Sequence, residues 1–213
     1  MFRSDVEALV RKVDSPANEI CLRIIEDNRE LFRTAPGSTH NHQAWLGGYW
    51  DHLTEVMNLW VLLYGALASG TGRLQLFEDD EPVELFPESE RFTLSDGLLV
   101  LFLHDIEKPW RCRLENGELV VIPELKSKAA RKEFRDRKLA EYGLVLTPQQ
   151  QNALHYAEGV RDDEYTPDAR IMSPLATLVH CCDLISARLF YDFPRPLGKD
   201  TWLGAARVST LEP

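Results

Sequence analysis

Apolar residues recur every three or four positions along most of the chain, and the breaks in that rhythm mark where elements end. Val6, Leu9 and Val10, followed by Ile20, Ile24, Ile25, Leu31 and Phe32, predict one or two helices within residues 1–35. The polar stretch APGSTHNH (35–42) is read as a loop. From about Gly48 to Leu67 the pattern predicts a long amphipathic helix carrying Val56, Leu59, Trp60, Leu62 and Leu63, closed by Gly70 and Gly72. Residues 71–95 contain EDDEP and read as an acidic surface excursion.

Ser95 is the expected N-cap of a helix over about 96–106, whose sequence GLLVLFLH is apolar on every side and so belongs at the centre of the fold. In CRLENGELVVI, alternating apolar and polar residues flank Asn116-Gly117, which predicts a β-hairpin over about 112–122. A charged helix over about 125–142 follows. Thr147-Pro148 and Ser173-Pro174 then open helices over about 148–158 and 174–190, because a Ser or Thr cap followed by proline is a strong helix start. The expected fold is all-α with a small β-hairpin insertion, in one domain spanning residues 1–213.

Composition narrows the function classes. The chain has 213 residues, 44% of them hydrophobic and 27% charged, the balance of a globular protein able to bury its own core. A net charge of −10 disfavours nucleic acid as a partner, since neutralising phosphates with Lys and Arg drives most such binding. The four cysteines, Cys21, Cys112, Cys181 and Cys182, show no paired spacing of a zinc or disulfide framework, which suits a reducing compartment. MFRSDVEALVRKVDSP has no apolar secretory core, and the apolar windows are too short to span a bilayer. A cytoplasmic location away from membranes is expected, and self-association is left open.

His104-Asp105 ends the most hydrophobic predicted helix, where burying adjacent ionisable groups is costly unless something compensates. A metal ion held by imidazole and carboxylate is a common compensation. His52 lies within the long amphipathic helix, and Asp183 lies among Leu178, Val179, Leu184 and Ile185 on the last. Taken singly, each also reads as a core or surface side chain, and Asp183 as a partner for Arg188. A basic island, KSKAARKEFRDRK (126–138), holds seven Lys and Arg against two acidic residues. It is either a solvated helix face or a phosphate-facing wall with Arg131 and Arg135 one turn apart. Arg111 and Arg113 are similar candidates.

The order His52, then His104-Asp105, then Asp183 resembles the H…HD…D pattern of the HD-domain metal-dependent phosphohydrolase superfamily. GGYWDHLTEV (47–56) resembles that family's first-histidine helix, closest in form to HD domains of bacterial exoribonuclease type. LVLFLHDIEKPW (99–110) resembles the hydrophobic HDxxK segment, and HCCDLISAR (180–188) the final aspartate helix. The likeness covers roughly residues 40–190.

The resemblance implies an HD-type helical fold with His52, His104, Asp105 and Asp183 as metal ligands. It also implies a role for Lys108 on a substrate phosphate. His155 stands where many members place another histidine, to bind phosphate, act as an acid or ligate a second metal. His42 matches a histidine that sometimes precedes the glycine pair, whereas Gln43 departs from the two adjacent histidines of the exoribonuclease-like pattern. His180 is too close to Asp183 for the usual binuclear spacing, so one divalent ion, or two sharing Asp105, is expected. The ligand set suits Mn²⁺, Fe²⁺, Co²⁺, Ni²⁺, Zn²⁺ or Mg²⁺.

The activity so implied is hydrolysis of a phosphoester or phosphoanhydride bond in a nucleotide or similar small phosphorylated substrate. Asp105 would orient the attacking water. Lys108 and His155 would offset phosphoryl charge, and Arg111, Arg131 and Arg135 would bind the substrate. The alternatives are an exoribonuclease-like phosphodiesterase on single strands and a non-catalytic module that binds a nucleotide or partner.

Overall fold

The computed structural model describes residues 4–39, 41–68, 75–78, 81–84, 90–115, 118–160 and 170–191. Helix dominates, as the apolar rhythm requires. Three short helices open the chain: α1 (Val6–Val10), α2 (Ala17–Asp27) and α3 (Arg29–Thr34). The long α4 (Gly48–Ala68) leads to a hairpin of β1 (Gln75–Glu78) and β2 (Glu81–Glu84). Then come α5 (Leu94–Leu103), the single turn α6 (Lys108–Arg111) and a second hairpin of β3 (Cys112–Glu115) and β4 (Glu118–Val121). The helices α7 (Lys128–Tyr142), α8 (Pro148–His155) and α9 (Pro174–Leu189) complete the order.

Helix α5 is the axis of the core. Every residue from Gly97 to Leu103 is buried, because a helix apolar on all sides can satisfy itself only when surrounded. It packs against α4, α8 and α9, with α1 and α2 closing the remaining side, and α9 lies against both α4 and α8. The α4–α5 approach is tight: a Cβ on Gly97 would stand 1.9 Å from the Trp60 ring. One continuous cluster of buried apolar side chains joins all these helices.

Several expectations need correction. Thr93, not Ser95, caps α5. Its hydroxyl accepts from Asp96 N while the Asp96 carboxylate accepts from Thr93 N, a reciprocal capping box. The Ser95 hydroxyl instead accepts from Asp14 N at 2.8 Å and ties the N-terminal helices to the core. The stretch 71–95 is not simply an acidic excursion. It contains the β1–β2 hairpin, and Phe92 near its end is buried against Trp60 and Tyr64.

Two hairpins therefore stand where one was expected. The second falls where predicted, with Cys112 opposite Val121 and Glu115 opposite Glu118, while its Asn116-Gly117 turn lies outside the described residues. Helix α8 stops at His155 rather than near 158. Past it the chain turns so that Gly159, at φ 91°, lies against the His180 ring, where a Cβ would come within 2.9 Å. No described helix is long and apolar enough to cross a membrane.

Candidate metal centre

Buried polar side chains are concentrated rather than scattered. His52, His104, Asp105, Glu107, Lys108 and Ser186 are all buried, with Gln43 and Glu55 beside them. Local structure brings them together. The loop before α4 folds under the start of that helix: Gly37 N and Trp45 N both donate to Gln43 O at 2.9 Å, and Gln43 N donates to Tyr191 O. Gln43 sits at φ 45°, and its carbonyl occupies the place a side chain at position 48 would need, since a Cβ there would lie 1.9 Å away. Gly48 is thus a steric requirement, and Gly47 before it takes a left-handed φ of 79°. The pair lets α4 start against the loop, and His52 falls one turn later on the face that also buries Tyr49, Leu53 and Val56.

His104 terminates α5 and Asp105 follows in the turn, so both lie at the carbonyl-rich end of that helix, which favours positive charge. Asp183 comes from the middle of α9. The four donors converge. His52 Nε2 lies 3.1 Å from His104 Nε2, 3.5 Å from Asp105 Oδ2 and 3.3 Å from Asp183 Oδ1. His104 Nε2 lies 3.1 Å from Asp105 Oδ2 and 3.6 Å from Asp183 Oδ1. One donor atom from each residue falls within 4.8 Å of all the others.

This donor set fits a metal ion. Donors bonded at about 2.1 Å to a common ion stand about 3.0–3.4 Å apart, close to the spacings found here. The ring orientations agree. His104 Nδ1 lies 2.6 Å from Leu101 O, which can only accept, so that nitrogen carries a hydrogen and Nε2 faces the cluster. His52 Nδ1 is likewise engaged, 3.0 Å from Ser186 Oγ. Two imidazole nitrogens aimed at one point beside two carboxylates can hold a cation between them.

Without metal, protons take that part. Burial alone would lower the His104 imidazole, but Asp105 and Asp183 outweigh it and push it up to about 10. Burial would raise Asp105, yet Lys108 and His104 hold it well below the usual carboxylate range. His104 and His52 do the same for Asp183.

Around the ligands lies a supporting layer that the sequence did not single out. Ser186 accepts weakly from Gln43 Nε2 at 3.5 Å, and the same amide lies 3.4 Å from Glu55 Oε2. Ser186 follows Asp183 by three residues, so the spacing on α9 was the available signal. Replacing Ser186 with Ala should leave the fold intact but weaken metal binding roughly 10- to 100-fold, because the His52 ring loses its orienting partner. Metal titration by calorimetry checks this, and unchanged affinity would remove Ser186 from the site.

His42 packs its ring 5.1 Å from that of His52. Burial first, then Lys108 and His52, lower it to about 3, so it stays neutral. The Tyr49 hydroxyl is fully buried with no hydrogen-bond partner among the described residues, and burial together with Asp105 and Glu107 keeps it protonated.

A cavity of about 290 Å³ opens beside His104. Glu107 lines it, as do Lys128, Arg131, Lys132 and Arg135 from α7 and His155 from the end of α8. Arg131 Nε stands 3.7 Å from Glu107 Oε1. Burial and the Asp105 carboxylate push Glu107 up to about 7. The structure therefore brings Arg131, Arg135 and His155 onto one wall near the cluster.

Lys108 is placed differently: it is buried, with Nζ 2.6 Å from Asp105 Oδ2, and lines no cavity described here. Arg111 is also outside both cavities, half-buried with its Nε lacking a hydrogen-bond partner among the described residues. His180 Nδ1 bonds Ala157 O at 2.9 Å and serves packing, while His40 lies outside the described residues. No protein-family profile, curated protein or solved structure matches the chain.

Proposed function

We propose that this chain is a metal-dependent phosphohydrolase of the HD type. It would cleave a phosphoester or phosphoanhydride bond of a small phosphorylated substrate, with a nucleotide the leading class. The observation that carries the reading is the convergence of His52, His104, Asp105 and Asp183 within 4.8 Å, at the end of a cavity walled by Arg131, Lys132 and Arg135. A basic wall beside a cation site, in a chain of net charge −10, is a local arrangement for an anion. The resemblance of the three motifs to the HD superfamily supports the same reading.

A divalent ion held by these ligands would lower the pKa of water to near neutral and offset phosphoryl charge. The chain's own groups do the rest. Leu101 O holds the His104 ring in the tautomer that ligation needs, and Ser186 orients the His52 ring. Lys108, paired to one oxygen of Asp105, fixes that carboxylate. Arg131 and Arg135 are placed to meet phosphate oxygens with charge-assisted hydrogen bonds. His155, exposed at the cavity edge, is placed to donate to a phosphate or leaving oxygen.

The test is metal content of the purified protein, then phosphate release from nucleoside mono- and triphosphates, cyclic nucleotides and short RNA with Mn²⁺, Co²⁺, Ni²⁺ or Mg²⁺. Chelator-sensitive turnover of one class is expected. Turnover of RNA with a steep salt slope would favour the exoribonuclease-like reading instead. Binding of metal and nucleotide without turnover would make the chain a non-catalytic module. Failure to bind metal after reconstitution would overturn the site itself.

A further inference from the structure

The cavity beside the metal centre has a neighbour on the far side of His155. Lys132, Arg135, Leu154 and His155 line both, and the second, of about 670 Å³, lies between α7, the turn at 143–146 and the second half of α8. Both volumes lie near or within the range of small-molecule sites, roughly 300–1,000 Å³.

The chemistry changes across that shared ridge. The inner lobe is charged, with Glu107, Lys128 and Arg131. The outer lobe adds Leu139, Ala140, Leu144, Val145 and Leu146, with Asp136 and Gln151 as its own polar groups. Leu139, Leu144 and Leu154 are 7%, 7% and 5% exposed, so they form a packed floor, whereas Val145 stands 88% exposed on the rim. The floor is built by a local device. Gly143, at φ 73°, ends α7 in the left-handed conformation, and Leu144 N turns back to donate to Leu139 O at 2.9 Å. Residues 144–146 are thereby laid alongside the helix they have just left.

A cation site, a basic ridge and an apolar lobe in sequence match a ligand that is anionic at one end and apolar at the other. We infer that the substrate is a phosphate ester whose organic group is apolar and of nucleobase size or larger. Its phosphate lies among the metal centre, Arg131, Arg135 and His155, and its organic group lies on the floor of Leu139, Leu144 and Leu154. The inference rests on the phosphohydrolase reading and extends it. Small polar sugar phosphates and inorganic polyphosphate are poor fits, since they would leave the lobe filled with water. Removing about 100 Å² of apolar surface from water is worth roughly ten- to a hundredfold in affinity.

Two non-hydrolysable probes that share a head group separate the lobe from the phosphate site. Methylphosphonate and naphthylmethylphosphonate should be titrated calorimetrically into the metal-loaded full chain. The naphthyl compound should bind ten- to a hundredfold more tightly. In Ala140→Phe, which fills the lobe from an exposed helix position, and in Val145→Asp, which charges its rim, the gap should fall below threefold. Methylphosphonate affinity should not change in either. The KM for naphthyl phosphate should rise in both variants with little change in kcat.

Equal binding of the two probes to the wild type, or a full gap in both variants, overturns the lobe assignment and leaves the phosphohydrolase reading standing. Tight naphthyl binding without turnover of any ester keeps the lobe and removes the catalytic reading. If neither probe binds, both fall together.

Discussion

In the His104→Ala, Asp105→Ala double variant, metal content should fall to background and the proposed phosphate-ester turnover should be lost, while the helical far-ultraviolet signal should stay close to wild type. The pair supplies two of four donors that lie within 4.8 Å of one another. Four-ligand protein sites bind their ions with about 10–16 kcal/mol, so losing half the donors removes several kcal/mol, and each 1.4 kcal/mol is tenfold. His52 and Asp183 alone cannot compete with water for the ion.

The fold should survive because α5 is held by its apolar faces from Gly97 to Leu103, upstream of the ligands. Some stability should still be lost. Lys108 is buried and is deprived of its partner, and stranding one member of a buried pair costs about 3–5 kcal/mol. Adding Lys108→Met to the double variant should restore the melting temperature and leave metal content at background. That third variant separates a lost ligand set from a damaged fold. Retained metal or turnover in either variant would sink the assignment of the centre.

The four candidate donors were legible in the sequence through their H…HD…D order, which resembles the HD pattern, and spacing explains why two of them face inward. His52 shares the inward stripe of α4 with Tyr49, Val56 and Trp60, and His104 ends a helix too apolar to lie anywhere but the middle. The starts of α8 and α9 were legible as well, since Thr147 and Ser173, each followed by proline, accept from the backbone as caps.

What the sequence hid depends on contacts between distant segments. The cap at Thr93 rather than Ser95 follows from a reciprocal bond with Asp96, while Ser95 is drawn to Asp14, 81 residues away. Arg111 and Lys108 looked equivalent to Arg131 as phosphate ligands, yet only the packing of α6 and α7 decides which of them reaches a cavity. The glycine pair at 47–48 could be matched to a motif, but its reasons are the left-handed φ of 79° at Gly47 and a carbonyl from Gln43 lying where a side chain on residue 48 would stand. The apolar lobe is likewise invisible in a helix that reads as a charged surface, because its floor comes from a turn past Gly143.

The stability of the metal-free protein should fall as pH rises from 7 to 9, and metal should abolish that fall. His104 is held up to about 10 in the folded chain against 6.5 when unfolded. A histidine raised in this way contributes stability that is fully present below about 6.5 and is lost as pH climbs through the folded value. Between 7 and 9 the folded chain carries one more proton than the unfolded chain at this ring, which sets a slope of about 1.4 kcal/mol per pH unit.

Other perturbed groups act outside that window. Glu107 is raised to about 7, so its contribution changes from about 4.5 to 7. His42 is lowered to about 3, so it opposes folding only as pH drops below about 6.5. Asp105 and Asp183, held low, act on the acid side, and Cys21, raised to about 12, begins to oppose folding above 9.

Metal cancels the slope because it needs the His104 nitrogen without its proton, so affinity rises with pH across the same range. That rise offsets the loss seen without metal, so loaded protein should hold a level stability while the gap between loaded and chelated samples widens steadily from pH 7 to 9. Urea denaturation at half-unit intervals, with and without chelator, reads both curves. A flat metal-free curve from 7 to 9 would mean that His104 holds no extra proton, and therefore that Asp105 and Asp183 do not close on it.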